Sequence, residues 1–490
     1  MINAEVKVKK SKSPFEMKMA YLGLPIALIL LGLIWTMPTP PGLAYNAKMA
    51  MGIFAFALVL WVSNSIPNYV TSLIVLVLLP VTGAWPEKAV LGVFGYDVIW
   101  LMVAAFVIAS GMEKSGLARR LALFLITKLG KSTNSVLAVL MGTNFLVAFV
   151  VPSTTARAAM LFPIVMMIAE IFEIDHENKS DRNFGKLLAL QGIQANNLST
   201  AAIVTATSSQ ILAISFINDL TGTSVSWMDW FVASAPITLL ALIASFFIGK
   251  LMFKTTNRAA SKEKLAVLDN EYQSLGKMSG IEIKALIIFG ITILLWSFNS
   301  LHLSLFGFQL SLVMVAIVSA ILFFLPHVGI LSWKEAKIKW DLLLFSCGAY
   351  AGGLALDATG VASWILKSIF DRLGVAHLSF FTIYAIVIFI ASFSHFVFTS
   401  KTVRTIILIP AIVSIAKVAG VNPVALALPA SFMIADTITL PPHSKVNLIY
   451  YSTGSFTVLE QMIYGILVLL AKWGIMLLAS FTWFKIVGIV

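Results

Sequence analysis

Two short polar segments interrupt long apolar stretches of this sequence, and each combines hydroxyl side chains with an arginine. The first, "STTAR", covers residues 153–157, and the second, "SKTVR", covers residues 400–404. A cation at the centre of a membrane helix costs about 2.5–3.5 kcal/mol on insertion scales, so such charges are rare there and indicate a functional site. Hydroxyl groups, unsatisfied backbone N–H groups and a following helix N-terminus together attract an anion. We therefore expect anion binding at residues 153–155 and 400–402, called the first tip and the second tip below.

Arg157 and Arg404 each lie four residues after the serine of their tip, about one helical turn away. A guanidinium group offers two parallel N–H donors to a carboxylate. Two tips that face each other can each take one end of a molecule, which suits a dicarboxylate. Alternatively, each arginine pairs with a protein acid or caps backbone carbonyls at its own hairpin. The residues predicted to bind substrate are Ser153, Thr154, Thr155, Arg157, Ser400, Lys401, Thr402, Arg404, His443 and Asn197.

Two polar breaks in apolar segments supply further candidates. His443 follows "TLPP", and we expect it to donate to a carboxylate, with backbone carbonyls as the alternative partners. His395 precedes the second tip by five residues and is expected to be structural. Asn196 and Asn197 begin "NNLSTAAIVTATSSQ", which we interpret as an unwound break. We expect these amides either to donate to substrate or to satisfy unwound carbonyls.

The chain that must position these residues has the composition of an all-α polytopic membrane protein. Its 490 residues are 59% hydrophobic and only 11% charged, and a soluble domain of this size could not keep so much apolar surface from water. The apolar stretches are continuous rather than alternating, which excludes a β-barrel. The single cysteine, Cys347, excludes a disulfide framework and a thiolate metal site. The sequence contains no P-loop, dinucleotide or zinc-helix motif, so we expect no cofactor, no metal and no nucleic acid partner.

We predict about eleven membrane spans and two re-entrant hairpins, which cover residues 134–172 and 378–416 and place the tips in protein-lined surroundings. Most of the 34 Lys and Arg residues fall in segments that this topology puts in the cytoplasm, with the N-terminus inside and the C-terminus outside. Lys472 is an exception, and snorkelling is the only role we predict for it. The predicted spans are approximately 20–37, 48–63, 67–84, 97–113, 186–219, 230–252, 283–299, 304–326, 341–357, 423–450 and 457–484.

Two halves of the chain match each other. Residues 153–163 recur as 400–410, with serine, threonine, arginine and proline at the same places and an offset of 247. Less clearly, "ATSSQ" (206–210) matches "PPHSK" (441–445). Each half has five full spans, so the halves are inverted, which is the plan of secondary transporters with a site near the midplane. The predicted domains are a basic segment and first helix (1–47), a first repeat (48–253), a cytoplasmic linker (254–282) and a second repeat (283–490).

At these residues the chain resembles the divalent anion:sodium symporter (DASS) family over nearly its whole length. The resemblance implies transport of di- and tricarboxylates by a homodimer whose transport domain moves as an elevator against a scaffold domain. Sodium-coupled members carry Ser-Asn-Thr at both tips, whereas this sequence has Ser-Thr-Thr and Ser-Lys-Thr. "PSTTAR" and "LPPHS" look like the exchanger branch, with its 2-oxoglutarate/malate, citrate/succinate and tartrate/succinate antiporters.

Lys401 stands at the asparagine position of the second tip, where it puts a permanent cation in place of a mobile one. A fixed charge neutralises a bound dianion without sodium, and it opposes return of the unloaded carrier because an unpaired cation would cross a low-dielectric barrier. We therefore expect sodium-independent, obligate exchange of dicarboxylates such as 2-oxoglutarate, malate or succinate in the cell membrane. The alternatives are a sodium- or proton-coupled symporter and, for Lys401 itself, an ion pair with Asp436. An enzyme, such as a Ser–Lys hydrolase, is not expected.

Overall fold

The structure is a computed structural model, and it describes residues 14–172, 179–260, 262–361, 364, 378–396, 398 and 400–490. The basic segment before residue 14, and residues 397 and 399 beside the second tip, lie outside the described residues. Within the described part the secondary structure is helical, with one isolated bridge between Ser132 and Ala259 and no strand. The prediction of an all-α chain is confirmed there.

Most described helices up to the predicted linker begin and end close to the predicted spans or lie in the first predicted hairpin, but two, Glu87–Gly92 and Leu117–Leu129, lie where no span was predicted. Proline lies inside several of these helices, including Thr154–Ile171, which contains Pro163. In chain order they are α1 (Pro14–Thr36), α2 (Tyr45–Ser63), α3 (Asn68–Val81), α4 (Glu87–Gly92), α5 (Asp97–Ser115), α6 (Leu117–Leu129), α7 (Thr133–Val150), α8 (Thr154–Ile171), α9 (Lys179–Ala202), α10 (Ser208–Thr221) and α11 (Trp227–Met252).

The helices from the linker onwards follow the same plan. They are α12 (Lys262–Ser274), α13 (Gly280–Ser297), α14 (His302–Phe306), α15 (Leu312–Phe324), α16 (Trp340–Ala358), α17 (Phe380–Phe393), α18 (Lys401–Val418), α19 (Pro423–Ile434), α20 (Lys445–Tyr451), α21 (Val458–Phe481) and α22 (Trp483–Ile486). Among all described residues, eight helical stretches of at least 18 residues are apolar enough to cross a membrane. The count of eleven full spans stays a prediction.

Serine N-caps decide where the arms of both predicted hairpins begin. Ser132 accepts a hydrogen bond from the backbone N–H of residue 135 at the start of α7, and Ser379 accepts from that of residue 382 at the start of α17. The second arms, α8 and α18, are both 18 residues long and contain Pro163 and Pro410. All of these matched positions are 247 residues apart. The local structure therefore follows the predicted offset, although the inverted repeat itself stays a prediction.

Two predicted spans are broken by short turns of similar form. A 3₁₀ turn at Val204–Ala206 separates α9 from α10, and another at Pro441–His443 precedes α20. The starts of α10 and α20 are 237 residues apart, so Ser208 corresponds to Lys445. The predicted pairing of "ATSSQ" with "PPHSK" was wrong by two residues, because short polar segments carry too little pattern to set the alignment.

The prediction of unwound chain from residue 196 is also wrong, since α9 continues to Ala202. Asn197 donates from Nδ2 to the carbonyl of Ile193 in its own helix, at 3.0 Å. Such a bond to the preceding turn satisfies the amide without unwinding the backbone. The break therefore begins only at residue 203.

Contacts divide the chain into two compact units, and each draws on both predicted repeats. The first comprises Met1–Tyr96 and Lys339–Ile369, and the second Asp97–Ile338 and Phe370–Val490. In the first unit, Lys48 is buried and donates to the carbonyls of Trp35 (3.1 Å) and Met37 (2.9 Å) at the end of α1. The predicted repeat boundaries stay a prediction.

In the second unit, helix α9 is enclosed by the core. Every residue from Leu187 to Ala202 is buried, and the apolar ones pack in a cluster with residues of α7, α8 and α11. Burial of polar groups is unfavourable unless they are hydrogen-bonded. Helix α9 nevertheless carries several buried polar side chains. We therefore expect the functional site to lie beside this helix. The buried polar residues of α9 are Gln191, Gln194, Asn196, Asn197, Ser199 and Thr200.

Ion pairs connect the linker and nearby segments within the second unit. Arg120 of α6 lies 2.5 Å from Glu282, at the first turn of α13. On the same unit, Lys114 Nζ lies 2.6 Å from Glu335 Oε1, and this hydrogen bond lowers the pKa of Glu335 to about 2. Glu335 therefore stays ionised at neutral pH. The linker contains a helix of its own, α12, which the sequence analysis did not predict.

Candidate functional site

The two tips are helix N-termini of the same construction. Ser153 caps α8 by accepting from the backbone N–H of Ala156, and Ser400 caps α18 by accepting from that of Val403, both at 3.3 Å. Each cap satisfies one of the N–H groups that a helix leaves unpaired in its first turn, and the positive end of the helix dipole remains at the tip. The residues that follow the caps are only half-buried: Thr154, Thr155, Lys401 and Thr402.

The Arg157 side chain is fully buried and holds the first tip to α9. Its Nη2 donates to Thr200 Oγ1 at 2.7 Å and to the Asn196 carbonyl at 3.2 Å, and its Nη1 donates to the Val151 carbonyl at 3.4 Å. All three acceptors are neutral. The Val151 carbonyl belongs to the hairpin, as in the alternative given for this arginine, whereas the other two acceptors lie on α9.

Arg404 has a corresponding role at the second tip. Its Nη2 donates to the carbonyls of Ile434 (2.6 Å), the last residue of α19, and of Asp436 (2.9 Å), just after that helix. Its Nη1 donates to Ser394 Oγ at 3.3 Å. No carboxylate of the described residues lies within 4 Å of either arginine's guanidinium. Each arginine thus joins a tip to the end of a helix that breaks. Direct contact of Arg157 or Arg404 with substrate stays a prediction.

Two neighbouring asparagines of α9 reach different tips. Asn196 Nδ2 donates to the carbonyl of Thr154 at 3.2 Å. Asn197 Oδ1 accepts from Lys401 Nζ at 2.8 Å and from Thr437 Oγ1 at 3.0 Å. The structure therefore brings together two predicted site residues, Asn197 and Lys401, and adds Asn196 as the link to the first tip.

The acid expected as an alternative partner of Lys401 is paired elsewhere. Asp436 Oδ2 lies 2.7 Å from Lys472 Nζ, with both side chains fully buried, and Lys472 also donates to the Phe432 carbonyl at 2.8 Å. The prediction that Lys472 snorkels is wrong, because Asp436 gives its ammonium a partner inside the protein. Among the described residues, no acid lies within 4 Å of Lys401 Nζ.

His395 and His443 are joined through one hydroxyl group. His395 Nδ1 lies 2.7 Å from the Ser392 carbonyl, which can only accept, so Nδ1 carries a proton. Its Nε2 lies 2.8 Å from Thr439 Oγ1, which in turn lies 3.1 Å from His443 Nδ1. These contacts give His395 a structural role. Contact of His443 with substrate stays a prediction.

The charges of this region are unbalanced. Arg157, Arg404 and Lys472 are fully buried and Lys401 is half-buried, whereas Asp436 is the one acid buried beside them among the described residues. Four positive charges against one negative leave an excess of three. Uncompensated charge is costly in a low-dielectric interior, so the arrangement favours an anion, and a dianion more than a monoanion.

The lysine of the second tip has an uncharged counterpart in the first. At the offset of 247, Lys401 corresponds to Thr154. The described residues contain no group of three His, Cys, Asp or Glu side chains that could hold a metal ion. The ionisable chemistry of the site is thus concentrated near the second tip.

Neither the Asp436–Lys472 pair nor the threonines that contact the site residues were predicted from the sequence. A lysine in the middle of an apolar helix and an acid inside a polar break are each unfavourable alone, and together they indicate an ion pair. The threonines give no such signal, because hydroxyl groups are common in membrane helices. They are Thr200, Thr437 and Thr439.

Comparison with known proteins agrees with this architecture. A membrane protein of Cupriavidus necator is 25% identical over 487 residues, which cover 95% of this chain and 93% of the relative. The L-tartrate/succinate antiporter of Escherichia coli strain K12 is 24% identical over 458 residues, covering 88% and 90%. The solved structure of the YdaH transporter of Alcanivorax borkumensis matches with a TM-score of 0.53 at 13% identity, covering 96% and 98%, and shows the shared fold.

The family model for the sodium:sulfate symporter transmembrane region matches residues 18–490, which is nearly the whole chain. The earlier resemblance rested on the two tips and on the "LPPHS" segment. The match extends it over every described helix after the first few residues of α1. This multi-pass membrane protein therefore belongs to the sodium:sulfate symporter family, that is, to the divalent anion:sodium symporters.

Proposed function

We propose that this protein exchanges dicarboxylates across the cell membrane without sodium. The observation that carries the proposal is Lys401, a half-buried ammonium at the N-terminus of α18 whose partner is the neutral amide of Asn197. The ion-pair partner of Asp436 is Lys472, and no acid of the described residues lies within 4 Å of Lys401 Nζ. A substrate carboxylate is the group that completes this arrangement, since it supplies both an acceptor and a negative charge.

The same charge accounts for obligate exchange. Reorientation of a carrier moves its site through a low-dielectric region, where an uncompensated charge is strongly disfavoured. With a dianion bound, much of the excess positive charge is neutralised and movement becomes possible. Return then requires a second anion, because the Lys401 ammonium is attached to the chain and does not leave the site as a sodium ion does.

The proposed substrates are C4 and C5 dicarboxylates such as succinate, malate and 2-oxoglutarate. Two helix N-termini with half-buried hydroxyl groups offer one carboxylate site each. The E. coli relative is named for tartrate and succinate, both C4 dicarboxylates. The proposed contacts are those of the two tips together with Asn197 and His443, and Arg157 and Arg404 are proposed to act through the tips that they hold.

The proposed architecture is the one expected from the sequence. It has eleven spans, two re-entrant hairpins and inverted repeats at 48–253 and 283–490, with the N-terminus in the cytoplasm and the C-terminus outside. We also propose a homodimer that works by an elevator movement. The matched ends of α8 and α18, 247 residues apart, support the repeat.

Counterflow in proteoliposomes tests the function. Purified protein is reconstituted without sodium, and uptake of labelled succinate is compared between vesicles with and without internal dicarboxylate. We expect uptake only into loaded vesicles, with malate, 2-oxoglutarate, tartrate and citrate ranked as internal partners. Uptake into unloaded vesicles driven by a sodium or proton gradient would instead establish the alternative, a coupled symporter.

A hydrolytic function has no support at the second tip. Ser400 Oγ accepts from the Val403 N–H as a helix cap, and Lys401 donates to Asn197. A nucleophilic serine needs a base within hydrogen-bond distance. The lysine next to Ser400 is directed to another helix.

A further inference from the structure

We propose that Asn197 determines the coupling of this transporter: as a neutral acceptor for Lys401, it leaves compensation of the lysine charge to the substrate. This inference rests on the proposed exchange of dicarboxylates and assigns its obligatory character to one contact. Asn197 is thus a positioning residue, because it acts through Lys401.

The geometry of the Asn197 amide is set by its partners. Lys401 Nζ can only donate, so the atom 2.8 Å away must be the amide oxygen. The other end of the amide, Nδ2, lies 3.0 Å from the Ile193 carbonyl, which can only accept. Thr437 Oγ1 donates to the same Oδ1 at 3.0 Å. The oxygen therefore faces the ammonium in a fully buried, fixed orientation.

The other three cations near the tips differ from Lys401 either in burial or in the charge of their acceptor. Arg157 and Arg404 also donate to uncharged groups, but their side chains are fully buried. Lys472 has the carboxylate of Asp436. Lys401 combines partial exposure at a helix N-terminus with an acceptor that carries no charge. It is therefore the cation whose charge the substrate is best placed to compensate.

The substitution Asn197→Asp converts this acceptor into an anion at hydrogen-bond distance from Lys401. The local pair is then neutral before any substrate binds, so the unloaded carrier has less charge to move through the barrier. The new carboxylate also competes with substrate for Lys401. Two effects are expected together: a gain of net transport and a rise in KM for exchange.

Asn196→Asp is the matched control. Asn196 is the preceding residue of α9, is equally buried, and undergoes the same chemical change. Its side chain reaches the Thr154 carbonyl at the first tip, where the residue corresponding to Lys401 is a threonine. The control adds a carboxylate to the region without placing it on Lys401.

The test measures efflux of labelled succinate from sodium-free proteoliposomes into buffer with or without external succinate. For the natural protein, we expect release only with external succinate. Asn196→Asp loses the hydrogen bond to the Thr154 carbonyl and is expected to exchange more slowly, but it should gain no release without external succinate. For Asn197→Asp, we expect at least tenfold faster release into succinate-free buffer than for the natural protein. Strict dependence of Asn197→Asp on external succinate would overturn the proposal. Equal net release by both variants would overturn it too, because total charge would then be decisive.

Failure of the proposed function has a different signature, since the natural protein itself would then release succinate without an external partner or only with sodium.

In Asn197→Asp, one oxygen of the introduced carboxylate would face the Ile193 carbonyl, so the variant is checked for folding by size-exclusion chromatography. If it does not fold, Lys401→Gln is measured in vesicles loaded with saturating succinate. A fivefold rise in the ratio of release without to release with external succinate supports the proposal, whereas an unchanged ratio or absence of release overturns it.

Discussion

Lys472 Nζ lies 2.7 Å from Asp436 Oδ2, and neither side chain is exposed. The backbone carbonyl of Asp436 accepts a hydrogen bond from Arg404, so one residue of the break after α19 holds two cations. The pair explains how a lysine is tolerated in the middle of α21. It also explains why Lys401, at the second tip, is left with a neutral partner.

Asp436→Asn should strongly destabilise the protein, because it leaves the Lys472 ammonium buried without an anion. Removal of one partner from a buried ion pair costs about 3–5 kcal/mol. The double variant Asp436→Asn/Lys472→Met removes both charges and should recover much of this loss. Thermal unfolding of the purified variants in detergent gives the comparison. A double variant no more stable than Asp436→Asn would contradict the role of the pair.

Lys401→Asn should reduce exchange by about tenfold or more near the natural KM. One tenfold step corresponds to about 1.4 kcal/mol, which is at the low end for a lost charge-assisted hydrogen bond. The measurement is counterflow of labelled succinate at limiting concentration. Thr154→Asn, at the matched position of the first tip, changes no charge and should alter the rate much less. Unchanged exchange in Lys401→Asn would remove the lysine from the site.

Arg157→Lys should lower stability, because the single nitrogen of a lysine cannot reach both the Val151 carbonyl and the Asn196 carbonyl on α9. Each buried acceptor left unsatisfied costs about 1–3 kcal/mol. The same reasoning applies to Arg404→Lys. Unfolding without substrate distinguishes this structural role from direct binding: a raised KM with unchanged stability would show that the guanidinium contacts substrate instead.

Substitution of His395 should depend on which hydrogen bonds survive. His395→Asn keeps a donor near Nδ1 for the Ser392 carbonyl but loses the contact with Thr439 Oγ1. His395→Leu loses both. We expect the leucine variant to be less stable than the asparagine variant by about 1–3 kcal/mol, the cost of an unsatisfied buried acceptor. Thermal unfolding of the two variants side by side tests this ranking, and equal stability would argue against the Ser392 contact.

The positions of the helices were largely predictable from the sequence. Long apolar stretches can satisfy their backbone groups in a membrane only as helices, and serine or threonine caps mark where several begin. The offset of 247 located both tips and their arginines, and the helices α8 and α18 begin and end at that offset. The register of the broken spans was not predictable, because their alignment rested on five positions, of which one has the same residue in both segments.

The partners of the buried charges were decided only by the tertiary structure. Asp436 follows Lys401 by 35 residues and precedes Lys472 by 36, so distance along the chain does not favour either lysine. The side chain of Asp436, just after α19, contacts Lys472 of α21. Asn197 of α9 contacts Lys401 at the second tip. The sequence alone indicated that cations lie inside the membrane. Which of these cations is paired with the acid depends on which helices meet, because electrostatic pairing acts over a few ångströms in space and not along the chain.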